Sequence, residues 1–327
     1  MGVTALLSAQ HSYASYSELL EDYHARGWTD GLPIVPPEPE TVRAMLAAGG
    51  HDAADVLGEV PSREIVVTAE DAAINAVMAG ALPEHMPVIA AAARALLHPE
   101  QVAHSTTATL MGAMQVVIVN GPVRHDLHIE SGQGCFGPGF RANGSIGRAV
   151  RLLIRNVLRS IPGELDRAVF STPGRYAFCF GEDEEHVPWQ ALHVQRGLAV
   201  DISAVTVHST SSTILAIPPA VTPEAALGKI VEMAIADSSL YENQMGSPAD
   251  AVVVLGYEHA RILQDAGWDK ARIRSYLFDR LSVEHPTGPL RVAHPEGLLI
   301  VTAGGPGWDC SVLMPPHVGR AITEPVL

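Results

Sequence analysis

Short apolar runs alternate with helical patterns along most of the chain. Ile65 to Thr68 and Val116 to Val119 are strand-like, and so are Leu32 to Val35, the valines of ADAVVVL and the run in EGLLIV. Alanine-rich or amphipathic segments of helical period stand between these runs. Strands that alternate with helices favour a mixed or parallel sheet covered by helices. The sequence therefore predicts an α/β fold with mixed sheets and packed helices, built as two interlocked α/β lobes.

The same pattern divides the chain into three regions. Residues 1–27 form a leader with one helix, residues 28–197 form an α/β lobe whose glycine-rich loop carries a cysteine, and residues 198–327 form a second α/β lobe. Two short internal sequence similarities suggest two lobes: HSTTATL resembles HSTSSTI, and VPP resembles IPP. The two similarities occur in opposite order along the chain, whereas a tandem repeat would keep one order, so they do not establish a duplication.

Composition narrows the classes of function. The net charge is −15 with a pI near 5.4, and phosphate binding needs a basic surface, so we expect neither a nucleic-acid nor a membrane partner. No apolar run approaches the roughly 20 residues of a membrane span. The cysteines are few and odd in number, which fits a reducing cytoplasm. We expect a cytoplasmic homo-oligomer that acts on a small-molecule substrate.

The densest chemistry lies in residues 120–159, which begin NGPVRHDLHIESGQGC. The apolar run before this stretch and its period of two favour a strand, with Asp126, His128 and Glu130 on one face. Such a face has three interpretations: a divalent-metal site, a general base held by a carboxylate, or a solvated strand face.

A glycine-rich loop follows, and it carries Cys135. Its glycines let the backbone turn N–H groups toward an anion, so Gly134 and Gly137 are predicted to bind substrate. The loop opens onto a helix near Asn143 or Ser145, and a helix start stabilises a thiolate. Cys135 is therefore a candidate nucleophile, and the alternative is a small buried hydrophobe. The glycine spacing matches neither a phosphate loop nor a dinucleotide loop, so it does not indicate a nucleotide site.

The arginines of this stretch sort into two groups. Arg141 lies in the loop beside Asn143, where its guanidinium is predicted to clamp a substrate carboxylate. The others form one stripe opposite the apolar side of the helix, and are expected to face outward or to pair with acids across an interface: Arg148, Arg151, Arg155 and Arg159.

Segments outside this stretch are candidates for the same site. Asn120 ends the preceding strand and is predicted to contact substrate. The turn at Gly304 and Gly305 follows a buried strand, and ligands in α/β sheets gather at the carboxyl ends of strands. That turn is therefore the expected opposite wall, together with the residues 309–311. The acidic loop at residues 182–186 is either a solvated charge run, a cation site or a second acid–base group.

Several phrases of the chain resemble one family of uncharacterised bacterial proteins. They are TDGLPIVPP, INAVMAG, VIVNGP, FGPGFRANGSIGRAVRL, EDEEHVPW and AGGPG, and together they extend over most of the sequence. The resemblance implies a single functional unit and no particular chemistry.

The leading prediction is an enzyme acting on a small anionic or polar substrate, a hydrolase or a carbon–heteroatom lyase without a cofactor. Cys135 would be the nucleophile or acid, His128 the proton shuttle, and Glu130 or Asp126 its orienting carboxylate. One alternative is a metal-dependent hydrolase or lyase, whose divalent metal would be held by Asp126, His128 and Glu130. The other is a non-catalytic ligand-binding or assembly protein, in which the glycine loops serve only tight packing. The predicted substrate-binding residues are Asn120, Gly134, Gly137, Arg141, Asn143, Gly304 and Gly305.

Overall fold

The alternating pattern of the sequence folds into helices and strands in a computed structural model that describes residues 5–241 and 249–327. The helices are α1 (Tyr16–Ala25), α2 (Pro39–Gly49), α3 (Ala69–Met78), α4 (Met86–Leu97), α5 (Ala103–Thr106), α6 (Val123–Asp126), α7 (Arg141–Asn156), α8 (Leu192–Gln195), α9 (Pro223–Asp237), α10 (Tyr257–Asp265) and α11 (Lys270–Leu281). The strands are β1 (Val56–Val60), β2 (Ile65–Thr68), β3 (Met114–Asn120), β4 (Cys179–Gly181), β5 (Ala204–Thr210), β6 (Ile214–Ala216), β7 (Ala251–Leu255), β8 (Leu298–Thr302), β9 (Ser311–Met314) and β10 (Ile322–Pro325).

The strands form two four-stranded sheets and one hairpin. The first sheet has the order β10-β5-β3-β4, and the second has the order β6-β9-β7-β8. In each sheet one pair is parallel, β3 with β4 and β7 with β8, and the other pairs are antiparallel. The antiparallel β1 and β2 make the hairpin. Both four-stranded sheets are therefore mixed, as the sequence predicts.

The two sheets pack face to face, and helices cover their outer faces. Successive residues of a strand point to opposite faces, so Val116 and Ile118 of β3 meet Val252 and Val254 of β7 in one apolar layer. Val117 of β3 instead packs in a second core with α3, α4 and α7. The outward residues of β7 join a third core with α9, α10 and α11. The order of layers is helix, sheet, sheet, helix, which confirms an α/β fold with packed helices.

Sheet membership does not follow the boundary predicted between residues 197 and 198. Strands β5 and β10 come from the predicted second lobe, yet both belong to the first sheet. β5 pairs with β3 along its whole length, from Ala204 opposite Asn120 to Thr210 opposite Met114. The chain enters the second sheet at β6 and returns to the first sheet with β10, which pairs with the fully buried β5.

The strand predicted at Leu32 to Val35 is wrong. These residues form no strand, and the backbone N–H of Val35 donates to the carbonyl of Met78 at 3.2 Å. Pro33, within the run, and Pro36, directly after it, have no N–H to donate to a ladder, which disfavours a strand here. The predicted leader helix is α1, and residues 1–4 of that region lie outside the described residues.

Helix α7 connects the parts of the molecule that bear on function. It begins at Arg141, earlier than the predicted start near Asn143 or Ser145. Its apolar side is buried against the first sheet and α3. Gly147 lets the helix come close to β4, because a Cβ at that position would lie 2.6 Å from the backbone nitrogen of Phe178. Within the described ranges, no helix is both long enough and apolar enough to cross a membrane.

Candidate functional site at the carboxyl edge of the sheets

The carboxyl ends of both parallel strand pairs meet at one place, which we call the carboxyl edge. Asp183, just beyond the end of β4, donates its backbone N–H to the carbonyl of Thr302 in β8 at 2.7 Å. The N–H of Gly304, just beyond β8, donates to the carbonyl of Ser131 at 2.7 Å. Ligands of α/β proteins bind beyond the carboxyl ends of strands. This edge is therefore the place in the fold where a site is expected.

A buried ion pair lies beneath the carboxyl edge. Glu182 Oε1 accepts a hydrogen bond from Lys270 Nζ at 2.6 Å, and both side chains are almost fully buried. Glu182 Oε2 accepts from Asn120 Nδ2 at 2.6 Å and from the N–H of Leu192 at 2.7 Å. Each carboxylate oxygen thus has a donor, which offsets the cost of removing the charge from water. The side chain of Asn120 is therefore fixed by its hydrogen bond to Glu182.

Asn120 and Gly121 together position a second acid, Glu184. Asn120 Nδ2 and the N–H of Gly121 both donate to Glu184 Oε1 at 2.9 Å. The same oxygen lies 3.1 Å from the Nε of Arg124, whose side chain is only 4% exposed. Glu184 is thus an ionisable group near the surface whose position depends on buried residues.

A histidine and a glutamate form a pair at the surface of this edge. His125 Nε2 lies 3.0 Å from Glu185 Oε1, and the side chains are 66% and 57% exposed. Arg124 Nη2 donates to the same carboxylate oxygen at 2.7 Å, and its Nη1 donates to the carbonyl of Glu182 at 2.7 Å. Glu185 is thus anchored by an arginine that is itself fixed in the fold.

The pKa of Glu185 is lowered to about 2. Partial burial acts to raise that pKa, but the hydrogen bonds and charges of Arg124 and His125 outweigh it. Glu185 is therefore ionised across the physiological range, and its negative charge faces the ring of His125.

The strand predicted to carry Asp126, His128 and Glu130 on one face is wrong. Pro122 and the turn before it start the short helix α6, which ends at Asp126. His128 follows with a φ of 53°, and the side chain of Glu130 folds back to accept from the N–H of Gly132 at 2.6 Å. In the part of the chain that the structure describes, no group of three or more His, Cys, Asp or Glu side chains is placed to hold a metal ion.

Cys135 lies in the apolar layer between the two sheets. Its side chain is 5% exposed, and burial raises the pKa of the thiol to about 12. A thiol with a pKa raised so far stays protonated at pH 7, and the thiol is a much weaker nucleophile than the thiolate. The helix start does not compensate for the burial, so this environment opposes the nucleophile role and favours the small buried hydrophobe.

Alkylation tests this environment. We expect iodoacetamide at pH 7.5 to leave Cys135 and Cys179 unmodified in the folded protein, because both thiols are buried and protonated. Peptide mass mapping after a timed reaction gives the extent at each cysteine. Labelling in denaturant is the positive control, and rapid modification of Cys135 below pH 8 would contradict the burial.

Asn143 holds the Cys135 loop, whereas Arg141 is exposed and bonds a different segment. Asn143 accepts from the N–H of Glu130 at 2.9 Å and donates to the carbonyls of Glu130 and Cys135 at 3.0 and 3.2 Å. Arg141 donates to the carbonyl of Gly80 at 3.2 and 3.3 Å, away from the Cys135 loop. The substrate-binding role of both residues stays a prediction.

The glycine turn after β8 lies against the Cys135 loop, as its position at the end of a strand suggested. Gln133 Nε2 donates to the carbonyl of Pro306 at 2.8 Å. A Cβ on Gly305 would lie 2.0 Å from Cγ of Gln133, so Gly305 is needed for this close packing. Gly134 has a φ of 77°, which favours glycine, whereas a Cβ on Gly137 would be 3.3 Å from the Gly134 carbonyl.

The arginine stripe of α7 faces the protein rather than solvent over most of its length. Arg148 pairs with Asp30, with nitrogen–oxygen distances of 2.8 and 2.9 Å. Arg151 is buried, and Arg155 donates to the carbonyl of Gly27 at 3.1 Å. The outward-facing interpretation holds only for Arg159, beyond the helix end, and the pairing with acids holds for Arg148.

Sequence reasoning missed the residues that organise the carboxyl edge. Arg124, His125 and Lys270 were not singled out, and the loop at residues 182–186 had no assigned partner. Lys270 is 88 residues from Glu182 along the chain, so no local pattern joins them. One signal was present: Lys270 is one of only two lysines in the sequence.

No protein-family model matches this chain, and no curated protein matches it in sequence.

Proposed function

We propose that the protein is an enzyme that performs general acid–base chemistry, hydrolysis or elimination, on a small polar molecule at the carboxyl edge. The observation that carries the proposal is the exposed ring of His125, held at 3.0 Å by a carboxylate that a buried arginine anchors. A base oriented by a third group is the arrangement that proton transfer requires.

The proposal gives each atom of the pair a role. With a proton on Nε2, His125 donates to Glu185 and leaves Nδ1 as the acceptor for a substrate or water proton. The carboxylate then stabilises the imidazolium that forms. Because the pKa of Glu185 is about 2, it stays negative when the ring takes up that proton.

The charges at this edge narrow the substrate class. Lys270 compensates Glu182, and Arg124 compensates Glu185, while Glu184 shares Arg124 with its neighbour. The edge therefore carries an excess of negative charge. This excess favours a neutral or cationic polar substrate over the anionic substrate that the sequence analysis also considered. Glu184, partly exposed, is placed to contact that substrate.

The test is a screen of small esters, amides and hydroxy or amino compounds, followed by variants. We expect His125→Gln and Glu185→Gln to lower kcat/KM by about 10²–10⁴-fold, because each removes part of the proton-transfer pair. His128→Asn discriminates between the two histidines of the segment. It should retain activity, whereas loss with His128→Asn and retention with His125→Gln would contradict the proposal.

The metal-dependent and non-catalytic alternatives, the absence of a cofactor, the homo-oligomer, the cytoplasmic location and the lack of a nucleic-acid partner stay predictions. Tight packing at Gly305 supports the non-catalytic alternative at that one position.

A further inference from the structure

Among the described residues, a buried arginine on α7 forms no direct ion pair with an acid. Arg151 is 8% exposed, and its Nη1 donates to the side-chain oxygen of Gln115 while its Nε donates to the carbonyl of Arg175 at 2.9 Å. Both partners are neutral acceptors, and no carboxylate among the described residues forms an ion pair with it. Buried charges in proteins are usually paired with an opposite charge. Asp166 and Asp30 favour the charge of Arg151 from nearby, but within the described residues neither forms an ion pair with it.

Arg151 lines a cavity together with two more arginines. The cavity has a volume of about 380 Å³, and Arg155 and Arg175 also form its wall. The Nε of Arg175 is buried without a hydrogen-bond partner in the described part of the chain. Hydroxyl groups complete the polar lining, from Ser160, Ser171 and Thr172.

The acids of this cavity are already engaged. Asp30 pairs with Arg148 through both of its oxygens, and Asp166 pairs with Arg175 at 2.5 Å. Arg151 and Arg155 therefore remain as an excess of positive charge, in a chain whose net charge is −15. Burial, and then the nearby charge of Arg175, lower the pKa of Arg151 to about 9, so a bound anion would stabilise its charged form.

This cavity is far from the carboxyl edge. Gln115, which holds Arg151, lies near the start of β3, and Asn120 ends the same strand. Five residues of strand span about 16 Å. The two places are at opposite ends of the first sheet, so a ligand of the cavity is distinct from a substrate at the edge.

We propose that this cavity binds a small organic carboxylate with an apolar body. Guanidinium groups are planar and match a carboxylate through paired N–H donors. Phe170 and Tyr176 also line the cavity, at 95% and 49% exposure, and they offer ring faces to the apolar part of the ligand. The volume falls within the range of small-molecule sites, about 300–1,000 Å³.

Benzoate is the probe, and thermal unfolding at constant ionic strength is the measurement. We expect benzoate to raise the Tm of the full chain in a saturable way, with chloride as the reference salt. Benzyl alcohol, which has the same ring without the charge, should leave the Tm unchanged. A shift of equal size with benzyl alcohol, or no shift with benzoate, overturns the proposal. A shift with inorganic phosphate and none with benzoate overturns the carboxylate class.

Variants locate the effect. Arg155→Gln should weaken benzoate binding by at least about tenfold, because one guanidinium of the pair is lost. Arg167→Gln is the matched control, since Arg167 lies in the loop after α7, donates to the carbonyl of Glu164 and is not among the residues that line the cavity. Arg151→Gln serves as a second variant if Arg155→Gln does not fold. Equal benzoate affinity in the cavity variant and the control overturns the assignment of this site.

Discussion

Replacing Lys270 with methionine should lower the free energy of unfolding by about 3–5 kcal/mol. The change leaves the carboxylate of Glu182 buried and without its cation, at a place where the side chains are 5% and 2% exposed. Urea unfolding followed by far-UV circular dichroism at pH 7 measures the loss. The same change should displace Asn120 and Glu184, because both depend on Glu182 for their positions.

The chain supplies its own control for this prediction. Its other lysine, Lys229, pairs with Glu232 at 2.7 Å on an exposed face of α9, so Lys229→Met should cost less than about 1 kcal/mol. The double change Glu182→Gln with Lys270→Met should recover most of the stability, since no buried charge remains. Equal effects of Lys270→Met and Lys229→Met would show that the buried pair does not contribute as its geometry implies.

Two glycines of α7 should respond to alanine in opposite directions. In an exposed helix interior, alanine stabilises relative to glycine by about 0.5–1 kcal/mol, and Gly144 has nothing within 4 Å of the added Cβ. At Gly147 the Cβ would lie 2.6 Å from the backbone nitrogen of Phe178 and 3.2 Å from the carbonyl carbon of Ala177. These atoms belong to the chain entering β4 and cannot rotate away, so Gly147→Ala should destabilise by about 1–3 kcal/mol or more.

Chemical unfolding of the two variants in parallel checks this contrast. The helix and its solvent conditions are shared, so the difference isolates the contact between α7 and β4. A stabilising or neutral effect of Gly147→Ala would mean that the helix does not approach the first sheet as closely as described.

Local patterns predicted the elements of this fold well. Ile65–Thr68 is β2 as expected, and the apolar runs in ADAVVVL and EGLLIV are β7 and β8. These features depend on neighbours in the sequence, where periodicity acts. The face-to-face packing of the sheets could not be derived, because it depends on which strands of distant segments pair.

Strand ends in the sequence indicate where the carboxyl edge lies, but they do not indicate that Arg124, His125 and Lys270 gather there. Strand ends drew attention to Asn120 and to the turn at Gly304, and both lie at the carboxyl edge. The period of two around His128 led to the wrong prediction of a strand, because the turn chemistry at Pro122 outweighs a strand pattern of so few residues. The burial of Cys135 could not be predicted either, because a single cysteine in a sequence does not show whether it lies in an exposed loop or in a core.

The most direct test of a histidine-based site at the carboxyl edge compares two variants on one substrate found by the screen. With Cys135→Ser, kcat/KM should stay within about threefold of the wild type, and with His125→Gln it should fall by about 10²-fold or more. Circular dichroism confirms that both variants remain folded. Loss of activity in Cys135→Ser together with full activity in His125→Gln would contradict the acid–base site and would favour Cys135 as the nucleophile.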